Sequence, residues 1–184
     1  MRESSVWDNE QETTELLQIG WLAGLIDADG SIVLQAVKSK PKHKKTSTYT
    51  YHVRITIYNS DEGLIATIQE IFDKFGIKHY TQKRISRNPR NNEICKPNYQ
   101  INVTEANSTK LLLELIVNLL QTHKKNRAKL CLRFLNIRLN RDEYYGTSLQ
   151  ATDIINQYLK LVGSSTTVCR TEKGTLEIIS EETV

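Results

Sequence analysis

Gly20, Gly24 and Ala28 recur at four-residue spacing inside a segment whose other members, Leu16, Leu17, Ile19, Leu22, Leu25 and Ile26, supply helical apolar faces. Residues four apart stack on one side of a helix, so the three small residues form a stripe. A glycine inside a helix costs about 1 kcal/mol against alanine. Two on one stripe point to packing, because they let a second helix backbone approach closely. The expected helix covers residues 14–28, with Thr13 or Thr14 as its cap. It ends in Asp27 and Asp29, where a carboxylate faces the negative end of the helix dipole at a cost of roughly 0.3–1 kcal/mol. Something positive should compensate. Asp27 suits a structural role at the helix end, and Asp29, just beyond, suits an adjoining cleft. If two such helices pair through the stripe, two copies of Asp29 meet, and paired carboxylates repel unless a proton or cation lies between them. An arbitrary Asp-x-Asp-Gly is ordinarily no more than an acidic turn.

The segment after the helix, SIVLQAV, reads as a strand, and YHVRITIY alternates as a second one. Val53, Ile55 and Ile57 should face a core, with His52, Arg54, Thr56 and Tyr58 facing out. Asn59, Ser60 or Asp61 can cap a helix near 61–75 that Gly76 terminates. Strands follow near 77–86 and 98–104, around a turn holding Asn88-Pro89 and Asn91-Asn92. Helices are expected from Ser108 to about 121, near 124–140, and near 148–161, the last capped by Thr147 or Ser148 and ended by Gly163. The tail 164–184 allows a short hairpin around Lys173-Gly174. The fold class is α+β, in the order helix–strand–strand–helix–strand–strand–helices. One domain covers 1–184, with its core at 14–140 and a C-terminal helix and tail at 147–184.

Charge singles out the strands. Gly30 to Ser60 holds six bases and no acid, and Lys78 to Thr104 holds six bases against Glu93. The whole chain is only +4, so the remainder is acidic. Basic charge concentrated on both strand pairs suits a polyanion. A four-stranded sheet backed by helices on one face leaves the other open. Such a face, carrying Gln, Asn and Arg, can enter a DNA groove and read base edges. No apolar run approaches the roughly 18 residues a membrane span needs. The N-terminus is neither a secretory signal nor an Arg-rich transit peptide. Cys95, Cys131 and Cys169 lack metal-site spacing, so a reducing intracellular compartment is expected.

The nine residues Leu22-Ala23-Gly24-Leu25-Ile26-Asp27-Ala28-Asp29-Gly30 are the complete naming motif of the LAGLIDADG homing endonucleases, and the chain resembles that family over roughly 14–140. The resemblance implies an αββαββα core with a saddle-shaped antiparallel DNA-binding sheet and additional C-terminal helices. It implies a site-specific endonuclease that hydrolyses both strands of a long pseudo-palindromic double-stranded DNA. A single motif in a chain of this length implies a homodimer, with Gly20, Gly24 and Ala28 at the interface. Asp29 would be the catalytic metal ligand, the Ala28 carbonyl a further ligand, and Mg²⁺ the cofactor. Lys124, with Lys125 as the near alternative, matches the family's active-site lysine, and Asn59 matches its polar partner. Base contacts are expected from Val33, Gln35, His52, Arg54, Thr56, Tyr58, Thr81, Lys83, Asn98 and Gln100. Phosphate contacts are expected from Lys40, Lys42, Lys44, Lys45, Arg87 and Arg90. Alternation in the third strand is the hardest to phase. Two other functions are open to this scaffold: a maturase binding its host-intron RNA, and a non-cleaving DNA-binding regulator.

Overall fold

A computed structural model describes residues 6–39, 48–85, 87, 93–140, 149–164, 166–170 and 176–180. Helix α1 (Val6–Asp29) runs directly into strand β1 (Gly30–Ser39), which pairs with β2 (Thr48–Asn59). Helix α2 (Glu62–Lys74) crosses to β3 (Tyr80–Arg84), and β4 (Asn98–Val103) follows. Three helices come next: α3 (Ala106–Ile116), α4 (Lys124–Leu139) and α5 (Leu149–Leu161). Strands β5 (Thr166–Arg170) and β6 (Leu176–Ser180) close the chain as an antiparallel pair. The αββαββα order holds. The main sheet is antiparallel throughout, in the order β1-β2-β4-β3, so its two hairpins join through β2 and β4.

One face of this sheet forms the core. Ile32 and Leu34 of β1, Val53, Ile55 and Ile57 of β2, and Ile101 and Val103 of β4 are buried there. Leu22, Ala23 and Ile26 of α1, Phe72 of α2, Leu112 and Ile116 of α3, and Phe134 of α4 pack against them. Helix α5 belongs to the same core through Ile154, Ile155 and Tyr158, whose hydroxyl donates to the Ile32 carbonyl at 3.2 Å. The β5–β6 pair adds Val168 and Leu176. It is tied to α5 by the Asn156 amide, which donates to the Val168 carbonyl and accepts from its N–H at 3.0 and 2.9 Å. The expected C-terminal hairpin is therefore present, although Lys173-Gly174 and the Thr147-Ser148 cap lie outside the described residues.

Several boundaries differ from expectation, and β3 covers only Tyr80–Arg84 of the expected 77–86. Helix α1 begins at Val6, so Thr13 and Thr14 lie within it. The earlier segment has no apolar period to show a helix, but once a helix is nucleated each further residue adds a hydrogen bond at little cost. Lys74 of α2 meets α1 within the expected span, donating to Gln18 Oε1 at 3.0 Å and pairing with Glu15 at 3.5 Å. Helix α3 is capped by Glu105, not Ser108, because its carboxylate accepts from the Ser108 and Asn107 N–H groups at 2.7 and 3.2 Å. Ser108 Oγ instead accepts from the Lys78 N–H at 3.0 Å. Helix α3 also ends at Ile116, short of residue 121. Asp61 caps α2, and Gly76, at φ 68°, follows it in the left-handed conformation glycine tolerates best.

The α1–β1 junction leaves no room for a side chain at Gly30. A Cβ there would lie 2.7 Å from both the Ile26 Cα and the Ile26 oxygen. Backbone atoms cannot swing aside as a flexible side chain can. Gly30→Ala is expected to destabilise the fold by about 1–3 kcal/mol, read as a lower urea midpoint with an unchanged m-value.

Candidate active site and nucleic-acid interface

The end of α1 has four backbone carbonyls without helical partners and no basic residue in its last turn. The compensating charge comes from 95 residues further along, at the start of α4. Lys124 Nζ donates to the carbonyls of Ile26, Asp27 and Ala28 at 3.1, 2.7 and 3.1 Å. Asp27 answers from the other side. Its carboxylate accepts from the Gln121 N–H at 2.7 Å, the Thr122 N–H at 3.0 Å and the Thr122 hydroxyl. Burial pulls the Asp27 pKa up, but the Thr122 and Gln121 hydrogen bonds and the Lys124 charge outweigh it and hold the group below its usual range. Asp27 therefore fastens α1 to the turn before α4, so its structural role at the helix end reaches across the fold. Lys125, the alternative lysine, donates to the Asn118 carbonyl at 3.1 Å instead.

Asp29 is exposed, with no hydrogen-bond or ion-pair partner among the described residues. With the Ala28 carbonyl it offers hard oxygen donors of the kind that Mg²⁺ and Ca²⁺ take. The described residues of one chain contain no group of three or more His, Cys, Asp or Glu able to hold a metal. The donor set thus fits a divalent ion in kind. Asn59 ends β2, where its Oδ1 accepts from the Asp61 N–H at 2.9 Å and shapes the turn into α2. Gly20, Gly24 and Ala28 all lie on an exposed face of α1. A Cβ built on Gly20 or Gly24 meets nothing within 4 Å. The monomer's own packing does not require glycine at either place. Leu17 and Trp21 on the same side are 69% and 42% exposed, an apolar surface beside the small stripe.

The second face of the sheet carries Val33 and Gln35 of β1, His52, Arg54, Thr56 and Tyr58 of β2, and Asn98, Gln100 and Asn102 of β4. Register fixes this, since opposed residues share a face: Val33 opposes Arg54, Gln35 opposes His52, and Tyr58 opposes Gln100. Thr81 and Lys83 do not join them. They oppose Ile101 and Tyr99 and so share the core face, where Lys83 Nζ lies 5.3 Å from the centre of the Tyr99 ring. The expected alternation of β3 is one residue out of phase, and Tyr80, Gln82 and Arg84 take the second face. YTQKR has no apolar alternation of its own, so its partner β4 sets the phase.

Two expected readers of bases are not on the surface. Thr56 and Gln100 are 2% and 3% exposed. Both donate to Asn102 Oδ1, at 3.0 and 2.7 Å, forming a polar floor in the middle of the face. His52 is half-buried. Its Nδ1 accepts from Arg138 of α4 at 3.1 Å, and Arg138 also donates to the Tyr51 carbonyl at 2.8 Å. Burial and the Arg138 charge both push the His52 pKa down, so it stays neutral near pH 7. Arg87 is exposed, bridged to Ile94 near the end of the β3–β4 hairpin. Lys40, Lys42, Lys44, Lys45 and Arg90 lie outside the described residues. Sequence reasoning missed Asn102, Tyr80, Gln82, Arg84 and Arg138. Tyr80, Gln82 and Arg84 follow once β3 is phased on β4, and Asn102 already shares the face of Asn98 and Gln100 by the alternation of β4. No local signal marks Arg138, which meets His52 only through the tertiary fold.

A family model described as LAGLIDADG endonuclease matches residues 22–132. The comparison with curated proteins found no match. Among solved structures, the homing endonuclease I-CvuI in complex with its target in the presence of 2 mM Ca is similar. It has a TM-score of 0.56 and 22% identity over 82% of this chain and 81% of that one. I-CvuI in complex with the I-CreI target in the presence of 2 mM Mg, with DNA not cleaved, gives 0.52 and 21% over 82% and 80%. The LAGLIDADG homing endonuclease I-GzeII in complex with its DNA target gives 0.50 and 16% over 78% and 43%. At these identities the likeness is one of fold.

Two outcomes follow from the site's electrostatics. Asp27→Ala removes three hydrogen bonds to a charged group, and at this exposed site should cost about 1–2 kcal/mol in thermal or urea unfolding. His52 binds a proton less readily folded than unfolded, so stability rises with pH through the window just below the ordinary value of 6.5 and falls on acidification through it. His52→Gln should flatten the melting temperature between about pH 5 and 7.

Proposed function

The chain belongs to the LAGLIDADG endonuclease family, and from that premise we propose that it works as a homodimeric homing endonuclease whose paired α1 helices bring two copies of Asp29 to one DNA target. Site-specific, metal-dependent DNA cleavage is the activity of the family. The observation that carries the dimer is the outward stripe of α1. It is small, flanked by exposed Leu17 and Trp21, unused by the monomer, and leads straight to Asp29. A two-fold axis along that stripe would make the interface self-complementary and the target pseudo-palindromic.

Asp29 and the Ala28 carbonyl would hold the ion, with donors from the second protomer and from DNA phosphates completing its shell. Mg²⁺ is the expected ion. When bound, it would polarise the phosphate, help to activate water and stabilise the departing 3′ oxygen. Lys124, beside the last carbonyls of α1, and Asn59, at the end of β2, would order the attacking water. The second sheet face would lie in the DNA groove. There Val33, Gln35, Arg54, Tyr58, Asn98, Tyr80, Gln82 and Arg84 are the base-contacting candidates, with Thr56, Gln100 and Asn102 as the floor beneath them. Val33 suits a thymine methyl and Arg84 a guanine edge. Arg87, with Lys40, Lys42, Lys44, Lys45 and Arg90, would meet phosphates.

Rejoining the DNA on either side of the gene gives the candidate substrate, because a homing endonuclease cuts the uninterrupted form of its own insertion site. Asp29→Asn should bind this DNA within a few-fold of the parent but cleave it at least about a hundredfold more slowly in Mg²⁺. Parent binding without Mg²⁺-dependent cleavage would favour a non-cleaving regulator, and preference for the host-intron RNA would favour a maturase. Gly24→Leu should leave the melting temperature of the monomer nearly unchanged while reducing dimer formation in light scattering and cleavage together. Arg84→Ala should weaken sequence-specific binding by about 1–3 kcal/mol, and Lys83→Ala should weaken it less. Equal losses would contradict the phase of β3.

A further inference from the structure

An ammonium group has three protons to donate. Lys124 directs them to three carbonyls, those of Ile26, Asp27 and Ala28. While it sits there, it has nothing left for a water or a phosphate. One of its three acceptors, the Ala28 oxygen, is also the backbone atom assigned above to the metal. The helix end needs a positive partner, because α1 brings no base in its last turn and ends on two acids. Lys124 meets that need from α4. The Asp27 carboxylate, bound to Gln121 and Thr122, fixes the distance between the two elements.

We propose that Lys124 is a tethered cation that caps α1 until a divalent ion arrives, and that the ammonium and the ion compete for the Ala28 oxygen. The proposal rests on the reading of Asp29 and Ala28 as metal ligands. Two cations cannot share one carbonyl at hydrogen-bond distance without strong repulsion. Ion binding therefore requires Lys124 to release Ala28. The release frees ammonium protons for the attacking water or the phosphate. Lys124 is a positioning residue in the metal-free protein, and it becomes available to the substrate only once the ion has taken its place. The same exchange keeps the helix end neutralised throughout, first by the lysine and then by the metal.

The test is a titration of the full-length, DNA-free protein with terbium(III) chloride, a luminescent stand-in for a hard divalent ion. Emission is excited through tryptophan, and Trp21 lies on the same helix as Asp29. The parent should bind terbium, and Asp29→Asn should bind it at least tenfold more weakly. Lys124→Met and Lys124→Gln should bind it about three- to tenfold more tightly than the parent, although both melt at lower temperature. Lys124→Arg, which keeps the charge, should bind with nearly the parent's affinity. A purely structural cap would behave in the opposite way: its loss would loosen Ala28 and Asp29 and weaken binding along with stability. Equal or weaker binding by both uncharged variants overturns the competition while leaving Asp29 as the metal ligand. Parent and Asp29→Asn binding alike overturns the metal assignment itself, and the competition with it.

Discussion

The chain has to leave a helix, enter a strand and present an unpartnered acid within three residues, Ala28 to Gly30. The reciprocal clasp between α1 and the start of α4 makes that possible. Lys124 neutralises the helix end through three carbonyls, and Asp27 grips the turn that carries Lys124. Gly30 lets β1 depart so close to the helix that a Cβ there would lie 2.7 Å from the Ile26 backbone. The position of Asp29 is thus set by contacts 95 residues away in sequence as much as by its own helix. The two acids of the motif divide their work on this basis: Asp27 is consumed by the fold and Asp29 is left free among the described residues.

The sheet shows a similar division between scaffold and surface. Its core face is apolar apart from Thr81 and Lys83 of β3, and it is continuous with five helices. Its second face has a fixed polar floor, in which Asn102 accepts from Thr56 and Gln100, beneath exposed Tyr58, Tyr80, Gln82, Arg84 and Asn98. A floor of this kind holds its neighbours in place, because the buried Asn102 amide accepts from one strand and bonds along its own. Side chains above it can then differ without disturbing the core. Such an arrangement suits a protein whose target sequence is set by surface residues on a constant framework.

Helix α1 carries two surfaces of different kinds. Leu22, Ala23 and Ile26 point into the core, and Gly20, Gly24 and Ala28 point away from it. A monomer gains nothing from glycine at positions where a Cβ would meet open space, and it loses helix stability. That imbalance is what a second copy of the helix would resolve. The C-terminal elements stand apart from this chemistry. Helix α5 and the β5–β6 pair, joined by the Asn156 bonds to Val168, enlarge the core and lie beyond the residues matched by the family model.

The sequence alone was enough for the αββαββα order, the alternation of β1, β2 and β4, the small stripe, a cap among residues 59–61 and Gly76 as a stop. Each is written in short-range pattern: a period of two or of four, or a residue whose backbone preference is local. The sequence also required a positive partner for the end of α1, from the dipole alone. It could not show that this partner gives all three protons to the backbone. That depends on how α4 packs, which is set by contacts about a hundred residues apart. The phase of β3 was likewise a tertiary decision, since Tyr80 to Arg84 carries no apolar alternation and takes its facing from Tyr99 and Ile101. The burial of Thr56 and Gln100 and the seating of His52 against Arg138 have the same origin. A local pattern states which way a side chain can point, and only its neighbours in space decide what it meets there.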